Sequence, residues 1–261
     1  MALSAAGALV RRGDPDRFLA TLFAPASARE TLFVLYAFNL ELARACTMAG
    51  ETNVAFLRLA WWREVVEGKA RRHEVATPLA TGLAEGRLGR EALLGLIAAR
   101  EDEVAPEIAT LADWRRMLFA SQGGLAVEAG RVLGAGAEKA LAAYGAAYGA
   151  ARLLRSIPAL ARQGRVLLPE DVLATHGLSA SAIIADPLLP VLASLRARLA
   201  AEAVAWLGEA RRRALPRAAL PAALPAVLAG RDLRRPDEAG PQPRGLGGRL
   251  AVLAASFTGR V

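Results

Sequence analysis

Apolar residues recur every three or four positions along almost the whole chain, which is the spacing of one face of an α-helix. No segment alternates apolar and polar residues as a half-buried strand does. The pattern therefore predicts an all-α protein. The predicted helices span about residues 27–46, 54–72, 78–85, 90–103, 110–133, 137–157, 187–214, 216–229 and 245–258.

Capping residues and prolines define the ends of several predicted helices. Thr110 and Gly134 have the identities expected at the two ends of one helix. Pro158 is predicted to end the helix before it, because proline lacks an N–H and disfavours a helical conformation of the preceding residue. Residue 160 would then not stack above residue 156.

The chain is predicted to form one domain, a linker and a terminal helix. The helical pattern is continuous over residues 1–229, whereas residues 230–244 combine three prolines with glycines and mixed charges, as linkers do. Residues 245–261 form an amphipathic helix whose apolar stripe consists of Leu246, Leu250, Leu253 and Phe257. Three placements fit this helix: on an anionic membrane, in a partner's groove, or against its own domain.

Composition restricts the kind of protein and its compartment. Hydrophobic residues make up 54% of the chain, yet no apolar run reaches the ~18–20 residues that a membrane-spanning helix needs. A single cysteine and two histidines exclude an internal disulfide framework and disfavour a zinc site. No basic residue precedes the short apolar N-terminal stretch, so we expect no signal peptide. We expect a cytoplasmic protein, either free or peripheral at the inner membrane.

Positive charge is concentrated at the C-terminal end. The net charge is +8, and residues 211–261 hold ten arginines against three acidic residues. This imbalance favours an anionic partner, such as a membrane surface, a diphosphate or nucleic acid. Nucleic acid is not expected, because no recognition motif accompanies the charge. An equally strong alternative is that the arginines reflect the composition of a GC-rich genome.

Three segments carry a resemblance to a known family. They are "LFVLYAFNLELARACTMAGE" (32–51), "RLAWWREVVEG" (58–68) and "LLRSIPALARQGRVLLP" (153–169). In this order and spacing they resemble the squalene/phytoene synthase family. The resemblance implies a single-domain, isoprenoid-synthase-type helical bundle with a central cavity. Active members join two prenyl diphosphates head to head, with magnesium held by two aspartate-rich motifs.

The family's aspartates have no counterparts at the matching positions of this chain. The first motif, D-D-x-x-D, falls on residues 43–47, and the second, N-x-x-R-D-x-x-x-D, falls on residues 152–160. Only the arginine of the second motif is retained, as Arg155. The positions of the family's aspartates are occupied by Ala43, Arg44, Thr47, Ser156 and Leu160. The resemblance thus implies a former metal site without its metal ligands.

A narrower resemblance favours binding over turnover. The same segments are similar to the family branch that contains mitochondrial complex I assembly factors and their bacterial relatives. It implies a protein without cofactor that binds a respiratory-complex subunit, a prenyl diphosphate or a lipid. The alternative is an active prenyl transferase with an altered magnesium site, in which Glu41, Asp102 or Glu103 faces the cavity opposite Arg155. Glu51 is a further acidic candidate nearby.

Arginines and aromatic residues are the candidate ligand contacts. Arg152, Arg155 and Arg165 lie around the cavity mouth that the resemblance implies, and the planar guanidinium group suits diphosphate or carboxylate groups. Their alternative role is local pairing with Glu170 or Asp171. The aromatic candidates for the cavity wall, which fit a helical core equally well, are Tyr36, Phe38 and Trp62.

Overall fold

A computed structural model describes residues 3–47, 52–104, 108–235 and 245–261. These residues form helices without any strand, so the prediction of an all-α fold is confirmed. The α-helices are α1 (Ala5–Gly13), α2 (Pro15–Thr21), α3 (Ala26–Thr47), α4 (Thr52–Glu67), α5 (Ala76–Ala84), α6 (Arg90–Val104), α7 (Leu111–Leu118), α8 (Gly124–Val132), α9 (Glu138–Ala161), α10 (Glu170–Thr175), α11 (Ala180–Ala185), α12 (Leu192–Arg211), α13 (Leu220–Ala223), α14 (Pro225–Asp232) and α15 (Leu246–Thr258). A π-helical turn, Phe119–Gly123, joins α7 to α8, and a 3₁₀ turn, Arg217–Ala219, precedes α13.

Helix α9 lies at the centre of the bundle and packs against α8, α12, α14 and the π-helical turn. Its sequence is rich in alanine and glycine, and most of its residues are buried. A Cβ on Gly145 would stand only 2.3 Å from the carbonyl oxygen of Gln122, and a Cβ on Gly149 would stand 2.5 Å from the Gln122 side chain. Glycine at both positions therefore permits this close approach between α9 and the π-helical turn.

The expectation that Pro158 ends its helix is wrong. Helix α9 continues through the proline to Ala161. Proline removes one backbone hydrogen bond, but Ile157, Pro158 and Ala161 are buried against the bundle, and this packing holds the last turn in place. The chain then turns at Gly164, whose φ of +69° suits glycine. Residues 156 and 160 therefore stay one helical turn apart.

Other element boundaries differ from the sequence pattern for local reasons. Helix α4 ends at Glu67 rather than near residue 72, because Gly68 adopts a φ of +112°. Two N-terminal helices, α1 and α2, were not predicted, although both have side-chain caps. Ser4 accepts a hydrogen bond from the Gly7 N–H, and Asp14 accepts one from the Arg17 N–H.

The C-terminal helix lies against its own domain. Val252 and Ala255 of α15 are buried in a small apolar cluster with residues of α2, α13 and α14. Helix α14 extends to Asp232, so the first three residues of the predicted linker 230–244 are helical. Residues 236–244 lie outside the described residues. Within the described ranges, no helix combines the length and the hydropathy needed to cross a bilayer.

The close contact of α9 generates a stability prediction. We expect Gly145→Ala to lower the free energy of unfolding by about 1–3 kcal/mol, because the new methyl group meets the backbone carbonyl of Gln122. The matched control is Gly95→Ala on the exposed side of α6, where no atom lies within 4 Å of the added Cβ. There, the higher helix propensity of alanine should raise stability by up to ~1 kcal/mol. Urea unfolding measures both, and an equal response of the two variants would contradict the packing described.

Candidate functional site

A pocket of about 200 Å³ opens between α3, α6, α9 and the π-helical turn. One wall is formed by α3 and the opposite wall by α9, and α6 with the loop after α9 contributes most of its charged groups. The lining residues are Asn39, Leu40, Ala43, Cys46, Thr47, Arg100, Glu103, Met117, Leu118, Ser121, Gln122, Gly149, Arg152, Leu153, Ser156, Leu160, Arg165 and Leu167.

Four of the five positions that the sequence analysis assigns to the family's aspartates line this pocket. Ala43 and Thr47 lie one turn apart on α3, and Ser156 and Leu160 lie one turn apart on α9. The fifth, Arg44, points outward and pairs with Glu41 at 2.7 Å. The pocket therefore has the two-helix geometry of a clamp, but these four side chains carry no carboxylate.

A buried ion pair occupies the α6 side of the pocket. Arg100 donates to the carboxylate of Glu103 and, through Nη2, to Asn39 Oδ1 at 3.0 Å. Arg165 Nη2 donates to the backbone carbonyl of Glu103 at 2.9 Å. Burial raises the pKa of the nearby Cys46 thiol, which keeps it protonated. The charged groups on this side of the pocket thus already have protein partners.

This set of donors does not fit a magnesium cluster. Mg²⁺ requires hard oxygen ligands in octahedral geometry, usually including carboxylates. Glu103 is the only carboxylate among the described lining residues, and Arg100 neutralises it. Asp102 is exposed and Glu41 pairs with Arg44, so neither is in the pocket wall, and Glu51 lies outside the described residues. Elsewhere in the described ranges, no group of three or more metal-ligating side chains occurs.

Arg152 reaches the pocket from a buried charge network. Its Nη1 donates to Asp14 at 2.6 Å, and Arg17 donates to the same carboxylate at 2.9 Å. Arg17 also donates to Gln122 of the π-helical turn at 2.9 Å, and the Tyr148 hydroxyl lies 3.2 Å from Asp14. Burial alone would raise the pKa of Asp14, but the two guanidinium groups outweigh it and the pKa is lowered. Asp14 also raises the pKa of Arg152, whose side chain remains 40% exposed.

The structure separates the three candidate arginines. Arg152 and Arg165 line the pocket, whereas Arg155 points toward α14 and donates to Asp232 at 3.1 Å. None of the three uses Glu170 or Asp171 in the described contacts. Arg152 donates to Asp14, Arg165 to the Glu103 carbonyl and Arg155 to Asp232.

The candidate aromatic residues belong to the core rather than to the pocket lining. Phe38 and Trp62 pack edge to face with ring centroids 5.4 Å apart. Tyr36 lies 5.5 Å from the Arg17 guanidinium carbon, and burial raises its pKa to about 12. All three side chains are at least 95% buried, at 3%, 0% and 4% exposure for Tyr36, Phe38 and Trp62.

Sequence reasoning missed four polar residues of the site: Asp14, Asn39, Arg100 and Gln122. Asp14 was visible as part of the Asp-Pro pair that caps α2, which is a helix-start signal. Arg100 stands three residues before Glu103, the spacing of an intrahelical ion pair. Gln122 had no signal, because only the π-helical turn brings it to the pocket.

Several known proteins with related sequences are named as complex I assembly factors. The chain is 32% identical over 189 residues to the Drosophila melanogaster homolog of NADH dehydrogenase (ubiquinone) complex I, assembly factor 6; the match covers 67% of this chain and 57% of that protein. It is 27% identical over 179 residues to Homo sapiens assembly factor 6, covering 66% and 54%. The chain thus spans little more than half the length of these relatives.

Solved structures of similar fold are isoprenoid synthases. A dehydrosqualene synthase in complex with a ligand superposes with a TM-score of 0.77 at 12% identity, covering 97% of this chain and 94% of that one. The squalene synthase HpnC from Alicyclobacillus acidocaldarius gives a TM-score of 0.68 at 21% identity, covering 97% and 92%. At this identity the likeness establishes the fold alone. Residues 10–254 also match the family model for squalene/phytoene synthase, and the chain therefore belongs to the squalene/phytoene synthase family.

Proposed function

We propose that the protein is a non-catalytic member of its family that acts by binding and serves in the assembly of respiratory complex I. The observation that carries this proposal is the composition of the pocket. Both walls present helical positions one turn apart, as a metal clamp requires, and these positions hold Ala43, Thr47, Ser156 and Leu160. Head-to-head condensation requires that a diphosphate leave in an apolar cavity, where its charge must be neutralised, and these side chains cannot hold the metal that would do so.

The pocket is suited to hold an anionic ligand without metal. Arg152 and Arg165 present guanidinium groups to a pocket whose lining also includes the apolar side chains of Leu118, Leu153 and Leu160. Such a combination fits an amphiphile whose head is a phosphate or carboxylate and whose tail is a hydrocarbon. A prenyl diphosphate and an anionic lipid both belong to this class.

The relatives support the cellular role. Several proteins that match about two thirds of this chain are named as assembly factors of complex I. We infer that this chain assists the same process by binding a subunit of that complex. It would do so at the cytoplasmic face of the inner membrane, as a peripheral protein.

The competing function is an active head-to-head prenyl transferase with an altered metal site. One observation favours it, because the Glu103 carboxylate is among the pocket-lining residues. The ion pair with Arg100 opposes it, since a neutralised carboxylate is a poor metal ligand. We therefore prefer the non-catalytic function.

The first test restores the clamp. The variant Ala43→Asp/Thr47→Asp/Ser156→Asp/Leu160→Asp should gain Mg²⁺ binding, because all four positions line the pocket and none is fully buried. Mg²⁺ at one hundred times its Kd would raise the free energy of unfolding of the variant by about 2.7 kcal/mol. Each kcal/mol raises the Tm of a protein of this size by roughly 2–4 °C. The matched control carries asparagine at the same positions. Thermal melts in which Mg²⁺ also stabilises the wild-type protein would contradict the proposal.

The second test concerns complex I. Deleting the gene in its native host should lower the amount of assembled complex I, measured by native gels stained for NADH dehydrogenase activity. Re-expressing this protein should restore assembly, whereas a catalytically active squalene synthase expressed at the same level should not. Normal assembly in the deletion strain, or rescue by the active enzyme, would overturn the proposed role.

A further inference from the structure

Helix α15 turns its larger apolar residues away from the domain. It is anchored through Val252 and Ala255, which are 1% and 4% exposed. At 3.6 residues per turn, the stripe of four larger side chains lies on the opposite side of the helix. Their exposures are 76% for Leu246, 62% for Leu250, 40% for Leu253 and 71% for Phe257.

This orientation is the reverse of that expected for a surface helix. Amphipathic helices of water-soluble domains normally place their apolar stripe against the core. Here the core contact uses small side chains, and the outward stripe is a contiguous apolar surface that water solvates poorly. Exposed apolar patches rimmed by polar residues mark sites of interaction with proteins or membranes.

Arginines from separate helices lie near the two ends of α15. Arg211, at the end of α12, donates through Nε to the Val261 carbonyl at 2.8 Å, which places it beside the C-terminal end of α15. Arg231 of α14 lies near the N-terminal end of α15, because its Nη2 is 3.3 Å from the position that a Cβ atom on Gly247 would take. Arg249 and Arg260 are exposed on the terminal segment itself. The fold therefore brings four arginines together on α15 and near its ends, and we call them the arginine rim.

We propose that this surface, formed by the apolar stripe and Arg211, Arg231, Arg249 and Arg260, docks onto an anionic bilayer with the axis of α15 parallel to the membrane. Apolar side chains enter the boundary between headgroups and acyl chains, while the arginines contact lipid phosphates. The inference rests on the proposed function, which places the protein at a membrane, and it specifies the attachment surface.

Charge distinguishes this occupant from a second copy of the chain. A two-fold interface through the same surface would bring the two arginine rims together. Arginine remains protonated throughout the physiological pH range, so this repulsion could not be relieved by titration. An anionic lipid surface complements both the apolar stripe and its rim.

Vesicle flotation of the full chain tests the proposal. The protein should float with vesicles of phosphatidylcholine mixed with phosphatidylglycerol and should not float with phosphatidylcholine alone. Raising the salt from about 0.1 M to 1 M shortens the Debye length from ~10 Å to ~3 Å and should weaken binding. Charge reversal by Arg231→Glu should weaken it as well.

Two paired variants isolate the apolar contribution. Leu250→Ser/Phe257→Ser should reduce vesicle binding by about tenfold or more, because each large apolar side chain that enters the interface contributes at least that factor when fully buried. The matched control, Leu57→Ser/Leu188→Ser, changes two side chains that are 70% and 71% exposed on other parts of the domain. It should bind as the wild-type protein does. Circular dichroism verifies that both variants keep their helices.

Three results would overturn the docking surface. The first is vesicle binding that does not depend on lipid charge or salt, and the second is binding of the Leu250→Ser/Phe257→Ser variant at the wild-type level. The third is a wild-type protein that does not bind vesicles but forms a dimer, with that dimer absent in the variant. The last would assign the surface to self-association. Each would leave the proposed function standing if the gene still supported complex I assembly in cells. If the deletion strain assembled complex I normally while the protein still bound vesicles, the proposed function alone would be overturned.

Discussion

The backbone contact between α9 and the π-helical turn is the constraint on which the rest of the structure depends. Gly145 has no side chain, so α9 can approach the Gln122 carbonyl of the π-helical turn so closely that no Cβ would fit between them. Gln122 is thereby held where it can accept from Arg17, which orients Asp14 and, through it, Arg152. This close approach thus positions Gln122, a residue that belongs both to the pocket wall and to the charge network.

Charge balance then determines what the pocket can bind. The lining residues include three arginines and one glutamate, and Arg152 also shares the charge of Asp14 outside the lining. The lining carries a surplus of positive charge and its one glutamate is paired, so we propose that the pocket suits an anionic headgroup better than magnesium ions. Removing the Asp14 carboxylate would leave two guanidinium groups without their buried partner, so we expect its loss to destabilise this side of the pocket.

Helical periodicity was sufficient to predict the fold class, because amphipathic helices record their buried face in sequence. It did not reveal the course of α9 through Pro158, since packing of the last turn compensates for the lost hydrogen bond. The motif positions Ala43 and Ser156 lie in the pocket lining. The motif also suggested Arg155 at the cavity, but Arg155 instead donates to Asp232, 77 residues later in the chain. Long-range partners of this kind leave no local pattern.

Pyrophosphate release is the measurement that tests the central claim most directly. The purified protein, incubated with Mg²⁺ and farnesyl or geranylgeranyl diphosphate, should release no pyrophosphate above a protein-free blank, while an active squalene synthase under the same conditions does. A non-catalytic pocket predicts this result because Ala43, Thr47, Ser156 and Leu160, which face one another across it, carry no carboxylate that could hold the metal. Turnover that EDTA abolishes would contradict it and would make the protein a prenyl transferase.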